Sequence, residues 1–243
     1  MNPAFRPFAG LLALLLFSAC ALARAVDAPV KPCRFVEALA AGKSQHLVIF
    51  GTSLSKNGAW VPQLKAALDE RYPGLVRLTN SAKGGKNSSW GVENFEVGVV
   101  AQNPDAVFIE FAINDAVARF DLSFDQVRHN LDVMLDRITN ALPDCEIILQ
   151  VMNPAVGKTE GESGYRRNQD AYQQLYRDAA RQRGLLLIDH SVAWNALLSE
   201  GETGFKRYVP DGIHPNAEGY RRLVLPTILT RIGIGPAPVP GGK

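Results

Sequence analysis

Short runs dense in Val, Ile and Leu alternate along the chain with longer stretches whose apolar residues recur every three or four positions. Five runs, at 46–50, 75–81, 105–111, 146–152 and 185–189, read as buried strands. Strands separated by helical patterns predict an α/β fold, a mostly parallel sheet covered by helices on both faces in three layers. Within 59–72, Trp60, Leu64, Ala67 and Leu68 share one helical face, and Pro73-Gly74 stops the helix. That spacing assigns Trp60 to the core. Within 124–142 the same spacing aligns Val127, Leu131, Met134, Leu135 and Ile138 ahead of Pro143. The polar, glycine-containing stretch 153–164 follows neither period and is expected to form a rim or lid over a site. The Pro- and Gly-rich stretch 233–243 is expected to be a flexible tail.

At the start of the chain Arg6 precedes an apolar run over 8–19, and small residues follow, the three-part pattern of an export signal. The run is shorter than the roughly 20 apolar residues of an ordinary membrane span. Two exits fit. Ala23-Arg24-Ala25 reads as a signal peptidase site, which would remove 1–25 and leave a single domain at 26–243. Phe17-Ser18-Ala19-Cys20 resembles a lipobox, which would tether the protein to a membrane through Cys20. Simple cleavage is the favoured expectation, with the protein periplasmic or secreted. Loss of Arg6 and Arg24 brings 26 Lys and Arg down to 24 against 24 Asp and Glu, so nothing points to a nucleic acid or another polyanion as partner. Cys33 and Cys145 would remain, either as one disulfide or as two separate buried thiols.

In an open parallel sheet the ligand crevice lies beyond the carboxyl ends of the strands, so polar residues just past each strand are the candidates for chemistry. Gly51-Thr52-Ser53-Leu54 follows the first strand and sets Ser53 at a strand-to-helix turn. Lys83-Gly84-Gly85-Lys86-Asn87 follows the second, where glycines let backbone N–H groups approach a ligand. Ala112-Ile113-Asn114-Asp115 follows the third and offers the Asn114 amide to a developing oxyanion. Asp211-Gly212-Ile213-His214-Pro215 precedes the last helix, with a carboxylate three residues from an imidazole it can orient. Each motif alone has an ordinary explanation as a helix cap, a turn or a surface histidine. Together they supply a nucleophile, oxyanion donors and a base with its orienter to one crevice.

These four blocks, in order and spacing, resemble the SGNH hydrolases, also called the GDSL esterases and lipases, over 46–232. The resemblance places Ser53 at the family nucleophile, Gly85 at the glycine of the second block, Asn114 at the asparagine of the third, and Asp211 and His214 at the terminal Asp-x-x-His. It implies a flavodoxin-like five-stranded parallel sheet and ester hydrolysis through an acyl-enzyme, with Ser53, His214 and Asp211 as triad. The oxyanion hole would be the N–H groups of Ser53 and Gly85 with the Asn114 amide. It also implies no metal or cofactor; independently, no His-Glu-x-x-His is present and only His214 of the four histidines stands in a catalytic-looking context. Two positions depart from the family pattern: Thr52 stands where Asp is usual and Ala112 where Gly is usual. Gly51-Thr52-Ser53-Leu54-Ser55 lacks the second glycine of the Gly-x-Ser-x-Gly elbow, which argues against an ordinary α/β-hydrolase. Gly42-Lys43-Ser44 precedes a strand and has Glu37 at the first glycine of a phosphate loop, so it reads as a helix end.

The blocks specify acyl transfer and leave acyl length and leaving group open. Export, and the aromatic residues Trp90, Phe205 and Tyr208 near the expected rim, favour an O-acetylated polysaccharide or other glycan, with a small-molecule ester as the simpler form. A lysophospholipase or thioesterase acting on longer chains, and an acetyltransferase using the same triad, are the enzymatic alternatives. A non-catalytic glycan-binding envelope protein is the alternative from another class, motivated by Thr52 and Ala112.

Overall fold

The computed structural model describes residues 32–235. The expected signal, both of its exits and residues 236–243 of the expected tail lie outside the described residues. In chain order the elements are α1 (Arg34–Ala40), β1 (Gln45–Gly51), α2 (Ser53–Lys56), α3 (Trp60–Arg71), β2 (Val76–Asn80), α4 (Ser88–Gly98), β3 (Ala106–Glu110), α5 (Ala112–Asp115) and α6 (Phe124–Ala141). They continue with β4 (Glu146–Val151), α7 (Gln169–Arg183), β5 (Leu186–Asp189), α8 (Ser191–Ser199), α9 (Glu202–Tyr208), α10 (Ala217–Gly219) and α11 (Leu225–Arg231). Each expected strand, and the two helices expected at 59–72 and 124–142, is present to within one residue at both ends. Gly42-Lys43 is a helix end, as expected: the N–H groups of Gly42 and Lys43 close α1 on Leu39 and Ala38.

The strands form one parallel sheet in the order β2-β1-β3-β4-β5, the flavodoxin-like order. Alternate residues of each strand point to opposite faces, so all the strands but the edge strand β2 feed two cores. Leu47, Ile49, Phe108, Ile148 and Ile188 face one side, where Trp60, Leu64, Trp194 and Ile228 cover them. Val48, Phe50, Val107, Ile109 and Leu149 face the other, under Phe95, Leu131, Met134, Leu135 and Tyr176. The stripe of α6 expected from sequence lies in this second core, and Trp60 lies in the first. Burial on both faces explains why these strands are continuously apolar rather than alternating.

One boundary differs from expectation, and the two cysteines take the second of their two expected states. Ile234 is buried in the first core and its N–H donates to Leu229 O, so the folded body extends past 233, where a tail was expected to begin. Cys33 and Cys145 are both free, and burial raises the two thiols, to about 11 and about 12. Among the described residues no helix is long and apolar enough to cross a membrane.

At the carboxyl end of β3 the core turns polar. Glu110 is the one charged residue of β3, whose five residues are all buried, and the parallel register sets it opposite Gly51. A Cβ at position 51 would lie 2.5 Å from Glu110 Oε1, so the carboxylate fits there only because residue 51 is glycine. Glu110 Oε1 accepts from Thr52 N–H and from Ser55 Oγ, both at 2.7 Å, and Thr52 Oγ1 lies 3.0 Å from each carboxylate oxygen. Thr52 Oγ1 also accepts from Leu54 N–H and so caps α2. The turn that begins α2 therefore hangs from a buried carboxylate. This accounts for the departure at Thr52: a hydroxyl can donate to Glu110, whereas an Asp would set a second carboxylate against it.

Burial pushes Glu110 up to about 7 despite the bonds from Ser55 and Thr52, and nearby Asp115 adds to the rise. Burial also lifts Asp115 to about 7, against the bonds from Ser88. Such groups bind more protons folded than unfolded, so the stability they contribute is complete below the ordinary carboxylate range and is lost as pH rises through about 7. Replacing Glu110 by Gln should flatten the decline in unfolding free energy between about pH 5 and 8, a difference on the order of 3 kcal/mol at most. Chemical denaturation across that range measures it, and parallel profiles for the two proteins would contradict the assignment. In the first core, Phe108→Ala should cost about 3–5 kcal/mol, read as a lower denaturation midpoint at unchanged slope.

Candidate active site

Three of the sequence-predicted residues meet in one chain of hydrogen bonds. Ser53 is the first residue of α2, immediately beyond β1, and its Oγ lies 2.8 Å from His214 Nε2. His214 Nδ1 lies 2.7 Å from Asp211 Oδ2. The two neighbours assign the neutral tautomer: Nδ1–H donates to the carboxylate, and Nε2 is left to accept from the serine. Leu54 O, one residue on, receives Trp60 Nε1–H at 2.9 Å and Tyr220 O–H at 3.1 Å, so the short helix is braced from α3 and from the C-terminal region as well as from Glu110.

The Asp211–His214 turn is shaped by its own acid. Asp211 Oδ1 accepts the N–H groups of Ile213, at 2.9 Å, and His214, at 2.7 Å. Partial burial pushes Asp211 upward, but these bonds and the imidazole outweigh it and hold the carboxyl below its ordinary value. Gly212 adopts φ +78°, and a Cβ there would lie 2.1 Å from Val156 O, so position 212 accepts no other residue without displacing the segment beside it. The side chains of Asp211 and His214 remain about half exposed, leaving the site open to a large substrate.

The other predicted donors follow β2 and β3 or belong to Ser53 itself. Its own N–H sits in the first turn of α2, where no intrahelical acceptor exists. Gly84 lies against the serine, since a Cβ there would be 3.7 Å from Ser53 Cβ, and Gly85 takes the turn with φ +70°. Asn114 is buried on α5, and its Nδ2 donates to Lys86 O at 2.8 Å, tying the second block to the third and leaving its second amide hydrogen available. Ala112 directs its methyl into the second core, so this departure is accommodated by packing.

The rim is fastened where the sequence suggested a lid. Asn153 Nδ2 donates to Ile213 O, and Val156 N–H to Gly212 O, both at 2.9 Å, joining the start of 153–164 to the Asp211–His214 turn. Arg166, just beyond, donates from Nε to Ile113 O at 2.8 Å and from Nη2 to Asn114 Oδ1 at 3.3 Å. Burial pulls this guanidinium down to about 10, helped by Arg119 and opposed by Asp211, which still leaves it cationic at neutral pH. Of the aromatic residues expected at the rim, Phe205 is fully buried against Trp194 and is excluded. Trp90 stacks on Phe50 and is half-buried, and Tyr208 is half-buried beneath Arg207. Among the described residues no group of three or more His, Cys, Asp or Glu is placed to hold a metal ion.

Sequence reasoning missed Glu110 and Arg166. An acid ending an otherwise apolar strand was a visible signal for the first. Arg166 sits in a polar stretch with nothing in its spacing to distinguish it.

Comparison with known proteins bears on the family and the fold. An acetylxylan esterase of Geobacillus stearothermophilus is 25% identical over 202 residues, spanning 75% of this chain and 91% of that protein. The structure of a catalytic mutant of an acetylxylan esterase from the same organism superposes with a TM-score of 0.67 at 22% identity, covering 80% of this chain and 96% of that one. An α/β-hydrolase enzyme from the metagenome of Lake Arreo, Spain, superposes at 0.66 with 23% identity, covering 79% and 96%. The GDSL-like lipase/acylhydrolase family matches residues 40–222, most of the chain, and on that match this protein belongs to the family and is a hydrolase of ester bonds.

Proposed function

We propose that this protein is an exported esterase that removes short acyl groups, acetyl above all, from a polysaccharide or other glycan through a Ser53 acyl-enzyme. The observation that carries the reading is the continuous bond path from Ser53 Oγ to His214 to Asp211, at 2.8 and 2.7 Å. His214 Nε2 takes the Ser53 proton as Oγ attacks the ester carbonyl, and Asp211 stabilises the imidazolium that forms. The oxyanion is met by the N–H groups of Ser53 and Gly85 and by the free amide hydrogen of Asn114. His214 then protonates the departing alkoxide, and a water activated by the same nitrogen releases the acid. Gly84 and His214 lie against Ser53, and the turn beyond the adjacent strand β3 carries Asn114 bonded to Lys86 O and Arg166, a polar set that suits a small acyl group on a hydrophilic leaving group. Similarity to an acetylxylan esterase supports the same substrate class.

A fluorophosphonate should label Ser53, read by mass spectrometry, and Ser53→Ala should abolish the label, since only an activated serine reacts quickly. Folded protein left unlabelled would favour a binding role instead. Asn114→Ala should lower kcat by roughly 10²–10³ with little change in KM. Among p-nitrophenyl esters, kcat/KM should be highest for acetate and fall with acyl length; a rise towards long chains would favour a lysophospholipase or thioesterase. Acylated acceptor in place of free acid would identify a transferase.

A further inference from the structure

Arg166 lies outside the four blocks, yet the chain delivers it to Asn114. Residues 165–167 run antiparallel to 116–118: Val117 and Arg166 form a β-bridge, Ala118 N–H donates to Tyr165 O at 2.9 Å and Arg167 N–H to Ala116 O at 3.0 Å. This short pairing lays the guanidinium against the turn that carries Asn114. Nε donates to Ile113 O at 2.8 Å, Nη1 to Gly164 O at 2.9 Å and Nη2 to Asn114 Oδ1 at 3.3 Å. Among the described residues no carboxylate lies within ion-pair distance of Arg166. Its hydrogen-bond partners are all neutral acceptors and Asp211 acts on it only from beyond contact, an unusual arrangement because burying a charge without a paired counter-charge is costly.

The Asn114 carboxamide is held at both ends. Lys86 O requires a donor and Arg166 requires an acceptor, so the amide cannot flip, and the second hydrogen of Nδ2 is left to point elsewhere. A cation on Oδ1 draws electron density from the amide and makes that remaining N–H a stronger donor. It also sets a positive charge one side chain away from where negative charge develops in acyl transfer, in surroundings that screen it less than water does.

We propose that Arg166 is a positioning residue for the reaction: it fixes the orientation of the Asn114 amide and couples its own charge, through that amide, to the oxyanion of the tetrahedral intermediate. This rests on the reaction proposed above, in which Asn114 is an oxyanion donor. The cation, which has no directly paired carboxylate in the resting enzyme, then meets a counter-charge in the transition state, so its effect falls on kcat.

The test is a double-mutant cycle on p-nitrophenyl acetate hydrolysis, using native protein, Arg166→Gln, Asn114→Ala and the double variant, with Ser53→Ala as background and a thermal melt for each. Arg166→Gln should lower kcat about tenfold at little-changed KM, the differential worth of one charge-assisted hydrogen bond. Introduced on top of Asn114→Ala, the same substitution should change kcat less than about twofold, because the path through the amide is already cut. Arg166→Lys should recover only part of the loss, since an ammonium supplies the charge without the fork that spans three acceptors. Equal losses with and without Asn114→Ala, as a purely structural role would give, overturn the proposal, as does a kcat within about twofold of native for Arg166→Gln. Should Arg166→Gln fail to fold, Arg166→Lys is carried through the same cycle with the same criterion. Activity that survives Ser53→Ala would instead overturn the reaction and the proposal together, whereas full dependence on Ser53 with additive losses overturns the role of Arg166 alone.

Discussion

The parallel pairing of β1 with β3, with Gly51 opposite Glu110, is the constraint on which the site depends. Both strands are buried on two faces, so their register is held by the cores above and below them. The sheet order reverses between these two strands, which opens a crevice at their carboxyl ends. Because residue 51 has no side chain, the Glu110 carboxylate reaches across to the next turn and takes the Thr52 and Ser55 donors. Ser53 is thus suspended from the sheet by groups on either side of it.

What surrounds Ser53 is held together by loops that satisfy one another. Lys86 O is taken by Asn114, Ile113 O by Arg166, Ile213 O by Asn153 and Gly212 O by Val156 N–H. Irregular backbone near a protein interior must find partners for its polar groups, and here each loop finds them on another loop of the same rim. The segment that has no helical or strand period is therefore built into the site, and its far end carries Arg166 to Asn114. These mutually bonded loops lie beside the Asp211–His214 turn, whose two side chains remain about half exposed.

Residue patterns alone determined the five strands, the two long amphipathic helices, the α/β class and the candidate residues Ser53, Asn114, Asp211 and His214. These were legible because period and strand-end position are local properties of the chain, and because a nucleophile, a base and its orienter carry their chemistry in their residue types. Other features exist only once distant segments meet. Phe205 looked like a rim aromatic and is core, because α9 turns it onto Trp194. Ala112 stood only as a departure from the family's glycine, and its methyl belongs to the second core. Thr52 stood only as a departure from the family's Asp, and its reason is Glu110, 58 residues away, which takes a donor there. Arg166 carried no signal at all, since its partners are 52 and 53 residues distant and one is a backbone carbonyl that any residue type provides. The chain's own pattern thus determined which elements form and which groups can react; the tertiary structure decided which groups support them, because hydrogen-bond partners drawn from separate loops leave no periodic trace in sequence.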